Sequence, residues 1–316
     1  MAKNNSNLHK AKKEKNDEFF TRLTDIEKEL KKTMTIKTIA DLNNTVRNNL
    51  AKIPHNIDFI IGIPRSGMLP ATIIAEYLNA PLIDLNSFIS GSKPTGGLRL
   101  GFRRYKGLEG KRRALVIDDT TFNGRAMNEA RVLLRGRTDI DFIYLAVYKE
   151  GRYNGADIYL EDISNSKTQV VYEWNIFHHY PQIVGKCIYD MDGVFLPDPP
   201  DERDEETYLN YIATAPPLFT PSNEVGAICS FRLEKNRGIT ENWLRENGIQ
   251  YKQLVLFPSN TYEGRQGHSP SLFKAEYYMK QPWAELFIES DDDQAREIAR
   301  LTHKQVYCVK TNKLYE

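Results

Sequence analysis

Residues 114–126 read ALVIDDTTFNGRA, and this stretch decides the fold expected for the first part of the chain. Its four apolar residues, 114–117, predict a buried strand. Two adjacent carboxylates, Asp118 and Asp119, follow, and a short polar loop then leads into a helical pattern. In open α/β sheets ligands lie beyond the carboxyl ends of the strands, and helix N-termini offer backbone N–H groups to anions. The stretch therefore predicts acceptors for hydroxyl groups beside a phosphate-binding loop.

A second acidic pair follows another apolar run. Residues 186–195 read KCIYDMDGVF, so Asp190 and Asp192 stand two apart after a predicted strand. Side chains two apart on an extended segment point in the same direction. The chain thus carries two acidic sites of different design, each at the end of a strand.

Predicted strands and helices alternate around both sites, which indicates an α/β fold with two Rossmann-like parallel-sheet domains. Strands are predicted over 58–63, 81–85, 114–117, 141–147, 186–189, 225–229, 253–257, 285–288 and 305–309. Helices are predicted over 39–50, 68–78, 124–135, 205–212, 235–247, 272–279 and 294–303. We expect a charged, partly helical extension over 1–33 and domains over 34–184 and 185–316. The aromatic residues of 151–180 predict a small accessory lobe.

Length and composition restrict the classes of function. A chain of 316 residues is long enough for two domains, and a net charge of +1 gives no reason to expect nucleic acid as a partner. Three scattered cysteines favour a reducing compartment. The sequence predicts neither a signal peptide nor a transmembrane segment, so we expect a cytoplasmic protein. Peripheral contact of the basic N-terminal helix with a membrane and the oligomeric state both stay open.

Residues 34–184 resemble the type I phosphoribosyltransferases (PRTases). In that family a strand-end acidic pair binds the 2- and 3-hydroxyls of phosphoribosyl pyrophosphate (PRPP), and the next loop binds its 5-phosphate. The resemblance implies that Asp118 and Asp119 bind the ribose hydroxyls. It also implies a phosphate loop made of Thr120, Thr121, Phe122, Asn123, Gly124, Arg125 and Ala126. Asn123 and Ala126 stand where the family usually has Thr, and Arg125 is expected to compensate.

Two further segments complete this site by resemblance. The GIPRSG turn at 62–67 matches the pyrophosphate loop of the family, with Arg65, Ser66 and Gly67 as PRPP-binding residues. The basic, glycine-rich stretch 91–113 matches its flexible catalytic loop, and the lid candidates are Lys93, Arg103, Arg104 and Lys106. The family reaction displaces pyrophosphate from C1 of PRPP with Mg²⁺ bound. The alternative is that the acidic pair only caps a helix and the basic loop is solvated.

Residues from 185 onward resemble the haloacid dehalogenase (HAD) superfamily of phosphatases, with a minimal cap. The DMDGV run at 190–194 fits its first motif, which implies Asp190 as the nucleophile and Asp192 as the acid and base. Ser230 and Lys274 stand where later motifs place phosphate-binding side chains. The implied Mg²⁺ ligands are Asp190, Asp192, Glu289, Asp291 and Asp292, although the usual Gly-Asp start of the last motif is absent. A structural turn or a Ca²⁺ loop is the alternative.

Together the two resemblances imply net ribosyl transfer. PRPP-dependent transfer to an acceptor releases pyrophosphate, and hydrolysis of the 5-phosphate then leaves a β-ribofuranosyl unit. This resembles paired systems that supply ribofuranose to bacterial surface polysaccharides, so we favour a glycan acceptor and other polysaccharide-assembly enzymes as partners. One alternative is nucleobase salvage with an attached nucleotidase, in which Tyr172, Trp174 and Phe177 are candidates for stacking on the base. Another is a PRPP-sensing regulator without catalysis.

Overall fold

The computed structural model describes residues 33–96, 112–152, 155–178, 181–201 and 203–316. The predicted helix within 1–33 and the lid candidates Arg103, Arg104 and Lys106 lie outside the described residues. The chain divides into two compact units. One is Lys37–Ser166, and the other joins the residues up to Ile36 to Lys167–Glu316. Residues 167–184, which the sequence placed in the first domain, therefore group with the second unit.

The first part of the described chain alternates strands and helices as expected. Its elements are β1 (Met34–Lys37), α1 (Ile39–Asn48), β2 (Phe59–Gly62), α2 (Met68–Leu78), β3 (Leu82–Asp84), α3 (Leu85–Ile89), β4 (Arg112–Thr121), α4 (Arg125–Leu134), β5 (Ile140–Lys149) and β6 (Ile158–Asp162). The strands β2 to β6 form a five-stranded parallel sheet in the order β3-β2-β4-β5-β6. Its central strands are buried, because apolar runs such as Phe59–Gly62 have helices on their faces to cover them.

The second unit has its own sheet. Its elements are β7 (Gln169–Tyr172), α5 (Pro181–Val184), β8 (Cys187–Tyr189), α6 (Glu205–Thr214), β9 (Ala227–Leu233), α7 (Arg237–Glu246), β10 (Leu254–Phe257), α8 (Pro270–Met279), β11 (Leu286–Glu289), α9 (Asp292–Thr302), β12 (Val306–Cys308) and β13 (Lys313–Tyr315). The sheet order is β10-β9-β8-β11-β12-β13, parallel except for β13. β1 pairs with β7 in a separate two-stranded sheet.

The predicted accessory lobe over 151–180 is wrong. β6 joins the first sheet, whereas β7 and the residues after it pack into the core of the second unit. Tyr172 and Phe177 are buried there, with the Phe177 ring stacked on Phe219 at a centroid distance of 4.4 Å. The Trp174 ring lies 4.9 Å from that of Tyr172. The aromatic residues cluster because they fill an apolar core, and periodicity alone does not reveal this.

The described residues include all three cysteines, and each is a buried free thiol. No helix in the described ranges is both long enough and apolar enough to span a bilayer.

Candidate functional site

Asp118 and Asp119 lie inside β4, although the sequence predicted that the strand ends at residue 117. The pairing of β4 with β2 stops at Ile117, while its pairing with β5 continues to Thr121. The long apolar strand β5 therefore extends β4 beyond the predicted end. On the other side, the edge of β4 faces the turn that follows β2.

That turn contacts the acidic pair directly. Ser66 Oγ donates a hydrogen bond to Asp119 Oδ1 at 2.9 Å. A Cβ atom at position 67 would lie 2.5 Å from the carbonyl oxygen of Ile63 and 2.8 Å from that of Ile117, so only glycine permits this close approach. Arg65 is exposed beside it, after a cis Pro64–Arg65 peptide. The structure thus brings the predicted pyrophosphate turn and the predicted diol-binding pair together.

The acidic pair is almost withdrawn from solvent. Asp118 is 7% exposed and Asp119 is 3% exposed. Burial raises the pKa of Asp118 well above its ordinary value, and the charge of Asp119 raises it further. Asp118 accepts from the backbone N–H of Asp119 at 3.0 Å, and Asp119 accepts from that of Thr120 at 2.9 Å. Carboxylates are acceptors with further capacity, so hydroxyl donors from a ligand are suitable partners.

The predicted phosphate loop ends at a helix N-terminus. Gly124, with φ of 71°, is the residue before α4 and offers no side chain to cap it. Asn123 Oδ1 accepts from the backbone N–H of Arg125 at 3.1 Å. The buried Thr121 Oγ1 finds no hydrogen-bond partner in the part of the chain that the structure describes. A buried hydroxyl without a partner is costly, so a ligand atom that pairs with Thr121 would stabilise the loop.

Other predicted members of this loop face solvent. Phe122 is 63% exposed. Arg125 Nε donates to Glu129 at 2.9 Å in an exposed pair, so its guanidinium contacts a carboxylate on its own helix. Lys93, the one lid candidate among the described residues, is exposed.

Gly151 is a functional candidate that the sequence did not reveal. A Cβ atom there would lie 2.0 Å from the carbonyl oxygen of Phe122. The backbone N–H groups of Glu150 and Gly151 both donate to the carbonyl of Thr121, at 2.9 and 3.3 Å. The end of β5 therefore fixes the backbone of the phosphate loop through contacts that only the fold creates.

A cavity of about 560 Å³ lies beyond the carboxyl ends of β8 and β11 in the second unit. We call it the acidic cavity. It brings together five of the residues that the sequence predicted for this site, namely Asp190, Asp192, Ser230, Lys274 and Asp291. They come from segments up to a hundred residues apart, and parallel strands place their ends at one edge of the sheet.

Lys274 is the central cation of the acidic cavity. Its ammonium donates to Asp190 Oδ2 at 2.8 Å, Glu289 Oε2 at 2.7 Å and Gln294 Oε1 at 2.9 Å. Burial alone would lower the pKa of Lys274, but the charges of Asp190 and Glu289 raise it above its ordinary value. Burial raises the pKa of Asp190, as does the charge of Glu289, while Lys274 opposes the rise. The ammonium and the two carboxylates therefore form one buried ion cluster.

Asp192 is held by an arginine that the sequence analysis missed. Arg232 is buried in β9, and its Nε lies 3.2 and 3.0 Å from the two carboxylate oxygens of Asp192. Burial lowers the pKa of Arg232, but the charge of Asp192 and the hydrogen bonds to it produce a net rise. Ser230 and Arg232 are two apart in one strand, so period-two alternation was the available signal. Arg265, Lys310 and Tyr208 also line this cavity, and nothing in their local sequence indicated it.

Three of the carboxylates predicted to hold Mg²⁺, Asp190, Asp192 and Asp291, line the acidic cavity without forming a metal-binding group. No group of three or more His, Cys, Asp or Glu side chains within the described ranges is placed to hold a metal ion. Asp190 and Glu289 share Lys274, Asp192 faces Arg232, and Asp291 accepts from the backbone of Gln294 as the cap of α9.

The remaining predicted ligand, Asp292, also has other partners. It accepts from Thr311 and Tyr315 at 2.6 Å each. The residues present therefore do not form the predicted set of five carboxylate ligands, because each carboxylate is directed to a protein donor of its own or to one shared by two of them.

No protein-family model and no curated protein sequence matches the chain. Similar solved structures include a purine phosphoribosyltransferase from Pyrococcus horikoshii, 17% identical, with a TM-score of 0.32 over 45% of this chain and 93% of that one. A xanthine-guanine-hypoxanthine phosphoribosyltransferase from Helicobacter pylori is 15% identical, with a TM-score of 0.33 over 46% and 95%.

A third similar structure is a hypothetical protein from Neisseria gonorrhoeae with bound ppGpp, 14% identical, with a TM-score of 0.33 over 45% of this chain and 89% of that one. At identities and TM-scores this low, the likeness assigns no activity to the chain. The α/β architecture is established by the parallel sheets themselves.

Proposed function

We propose that this chain is a bifunctional enzyme. Its first unit transfers phosphoribose from PRPP to an acceptor and releases pyrophosphate. Its second unit then hydrolyses the 5-phosphate of the product and leaves a ribofuranosyl unit. We further propose a glycan as the acceptor, with other polysaccharide-assembly enzymes as partners.

The observation that carries the transfer step is the buried carboxylate pair beside Ser66 and the unpartnered Thr121 hydroxyl. Asp118 and Asp119 accept from the 2- and 3-hydroxyls of the ribose, and the start of α4 with Thr121 binds its 5-phosphate. The C1–O bond breaks, and its electrons leave with pyrophosphate. The acceptor hydroxyl bonds to C1, and its proton passes to the departing pyrophosphate. Mg²⁺ enters bound to the pyrophosphate as part of the substrate.

The observation that supports the hydrolytic step is Asp190 in a cavity with Lys274, Ser230 and Arg232. Lys274 orients Asp190 through Oδ2, so Oδ1 is the oxygen that attacks phosphorus. The ester P–O bond breaks, and the leaving oxygen takes a proton from Asp192. Water, deprotonated by Asp192, then cleaves the aspartyl-phosphate and releases orthophosphate. Ser230 binds the phosphate oxygens, and Arg232 holds Asp192 in orientation.

The preference for a glycan over a nucleobase has one structural argument. Two of the three rings that the salvage alternative offers for stacking, Tyr172 and Phe177, are buried in the core of the second unit, where a base has no access to them. The third, Trp174, is half-buried, and its ring lies beside that of Tyr172. A PRPP-sensing regulator differs from both enzymes because it binds PRPP without releasing pyrophosphate.

Two variants test whether the chemistries are separate. Asp118→Asn combined with Asp119→Asn is expected to abolish pyrophosphate release from PRPP while hydrolysis of ribose 5-phosphate continues. Asp190→Asn is expected to do the reverse. If either variant loses both activities while both units stay folded, the assignment of one reaction to each unit is wrong.

A further inference from the structure

A second cavity, of about 510 Å³, adjoins the acidic cavity. Tyr208 of α6 and Tyr262 line both spaces, so their side chains stand at the junction. We call the second space the amide cavity, because Asn236, Asn260 and Gln266 line it. A phosphate ester bound at Asp190 has only its phosphate in the acidic cavity, and the rest of the molecule needs a neighbouring space.

The lining of the amide cavity indicates what that space accepts. Amide side chains both donate and accept hydrogen bonds, as the hydroxyl of Thr261 does, and this matches the hydroxyls of a sugar. Lys235 and Glu205 on its wall pair with each other at 2.7 Å, and Arg203 pairs with Asp201. The fourth charged residue of the wall, Glu263, would repel a phosphate. An uncharged, hydroxyl-rich group therefore meets complementary partners there, whereas a second phosphate does not.

Tyr208 joins the two cavities. Its side chain is buried, and burial raises the pKa of Tyr208 to about 12, so its hydroxyl stays protonated and can donate. Arg232 and Asp192 line the acidic cavity together with Tyr208, so the tyrosine faces the same space as the proposed acid and base.

We propose that the amide cavity binds the sugar carried on C1 of a ribofuranoside 5-phosphate, and that Tyr208 contacts the substrate at the junction. This rests on the proposed hydrolysis at Asp190 and adds its substrate class: a disaccharide 5-phosphate rather than ribose 5-phosphate or a nucleotide. Asn260 and Gln266 are exposed, so both can be replaced without disturbing the core.

The test compares three esters on the full chain: methyl β-ribofuranoside 5-phosphate, the same ester with glucose in place of methyl, and AMP. We expect kcat/KM to be about tenfold or more higher for the glucosyl ester, equivalent to about 1.4 kcal/mol. Asn260→Ala combined with Gln266→Ala, and separately Tyr208→Phe, should remove this preference. Asn242→Ala, on the exposed part of α7, is the matched control.

Two results overturn the proposal while leaving hydrolysis intact: equal kcat/KM for the methyl and glucosyl esters, or a preference for AMP. Absence of orthophosphate from all three esters overturns the hydrolysis instead. In that case, calorimetry with the unphosphorylated glucosyl riboside tests whether the amide cavity binds a sugar. Binding that the double variant removes supports the proposal, and no binding to the wild-type chain contradicts it.

Discussion

Arg232 and Asp192 form a buried two-point contact across the sheet of the second unit. The Nε atom of Arg232 lies 3.0 Å from Asp192 Oδ2, and Nη2 also donates to Oδ1. The Arg232 side chain is 1% exposed and that of Asp192 is 20% exposed, so water competes little from the arginine side. A planar guanidinium fixes a carboxylate in orientation as well as in position.

Arg232→Lys keeps the charge but removes the two-point contact. We expect kcat for hydrolysis of ribose 5-phosphate to fall by roughly 10²-fold, the scale of a misplaced acid and base, with little change in KM. Arg300→Lys, at an exposed arginine that pairs with Glu297, is the control and should change neither constant. Because Arg232 acts through Asp192, adding Arg232→Lys to Asp192→Asn should cost little more than Asp192→Asn alone. Additive losses would show that Arg232 acts independently of Asp192.

Lys274→Met removes the cation between two buried carboxylates. We expect the second unit to lose about 3–5 kcal/mol of unfolding free energy, because Asp190 and Glu289 are left without a counter-charge. All three tryptophans, Trp174, Trp243 and Trp283, belong to this unit, so tryptophan fluorescence during urea unfolding reports on it selectively.

The matched control for this substitution is Lys280→Met, at the exposed end of the same helix, with an expected change within about 0.5 kcal/mol. Adding Glu289→Gln to Lys274→Met should recover part of the loss. A loss of the same small size for Lys274→Met as for Lys280→Met contradicts the structural role of the ammonium.

Asp118→Asn should stabilise the ligand-free first unit, and the gain should depend on pH. The pKa of Asp118 is raised in the folded state. Its contribution to stability is therefore fully present below the ordinary carboxyl pKa and is lost as the pH rises through the pKa of the folded state. Asn resembles the protonated form at every pH. The gain should be absent in acid and grow toward neutral pH, by about 1.4 kcal/mol per unit of pKa difference. Calorimetry measures this gain in the unfolding transition of the first unit, which contains no tryptophan and is therefore not followed by tryptophan fluorescence.

Gly151→Ala should impair the transfer step from a distance. The added methyl group collides with the carbonyl of Phe122, so the phosphate loop has to move. A displacement of about 1 Å can cost up to about 10²-fold in kcat/KM, and we expect a loss of that order for PRPP. Gly136→Ala is the control, since a Cβ there has no neighbour within 4 Å. Equal kinetics for both variants would show that the end of β5 does not position the loop.

Local patterns predicted the elements well. The helix expected over 68–78 is Met68–Leu78, because an apolar face and a clear break at Asn79, in the left-handed conformation, define it. β4 and β9 both run past their predicted ends. Their lengths depend on the neighbouring strands, which local periodicity does not identify. The prediction for residues 151–180 was wrong for a related reason. A run of aromatic residues has the same sequence pattern whether it fills a core or forms a separate lobe.

The order of the motifs along the sequence predicted which residues of the second unit meet at one site. Asp190, Ser230 and Lys274 come to one cavity, as the order of motifs indicated. Arg232 was detectable from alternation with Ser230, whereas Gly151 depends on contacts made only in the fold. The pairing of Asp190 and Glu289 with Lys274, in place of the predicted metal ligands, required coordinates.

We propose above that the two units act in turn on one pentose. Phosphorus NMR of the full chain with Mg²⁺, PRPP and an oligosaccharide acceptor, and with nucleobases as parallel acceptors, measures both released phosphates at once. We expect equal amounts of pyrophosphate and orthophosphate with the oligosaccharide, and pyrophosphate plus a persistent 5-phosphoribosyl signal with Asp190→Asn. Undiminished orthophosphate from Asp190→Asn, or turnover with nucleobases alone, would contradict it.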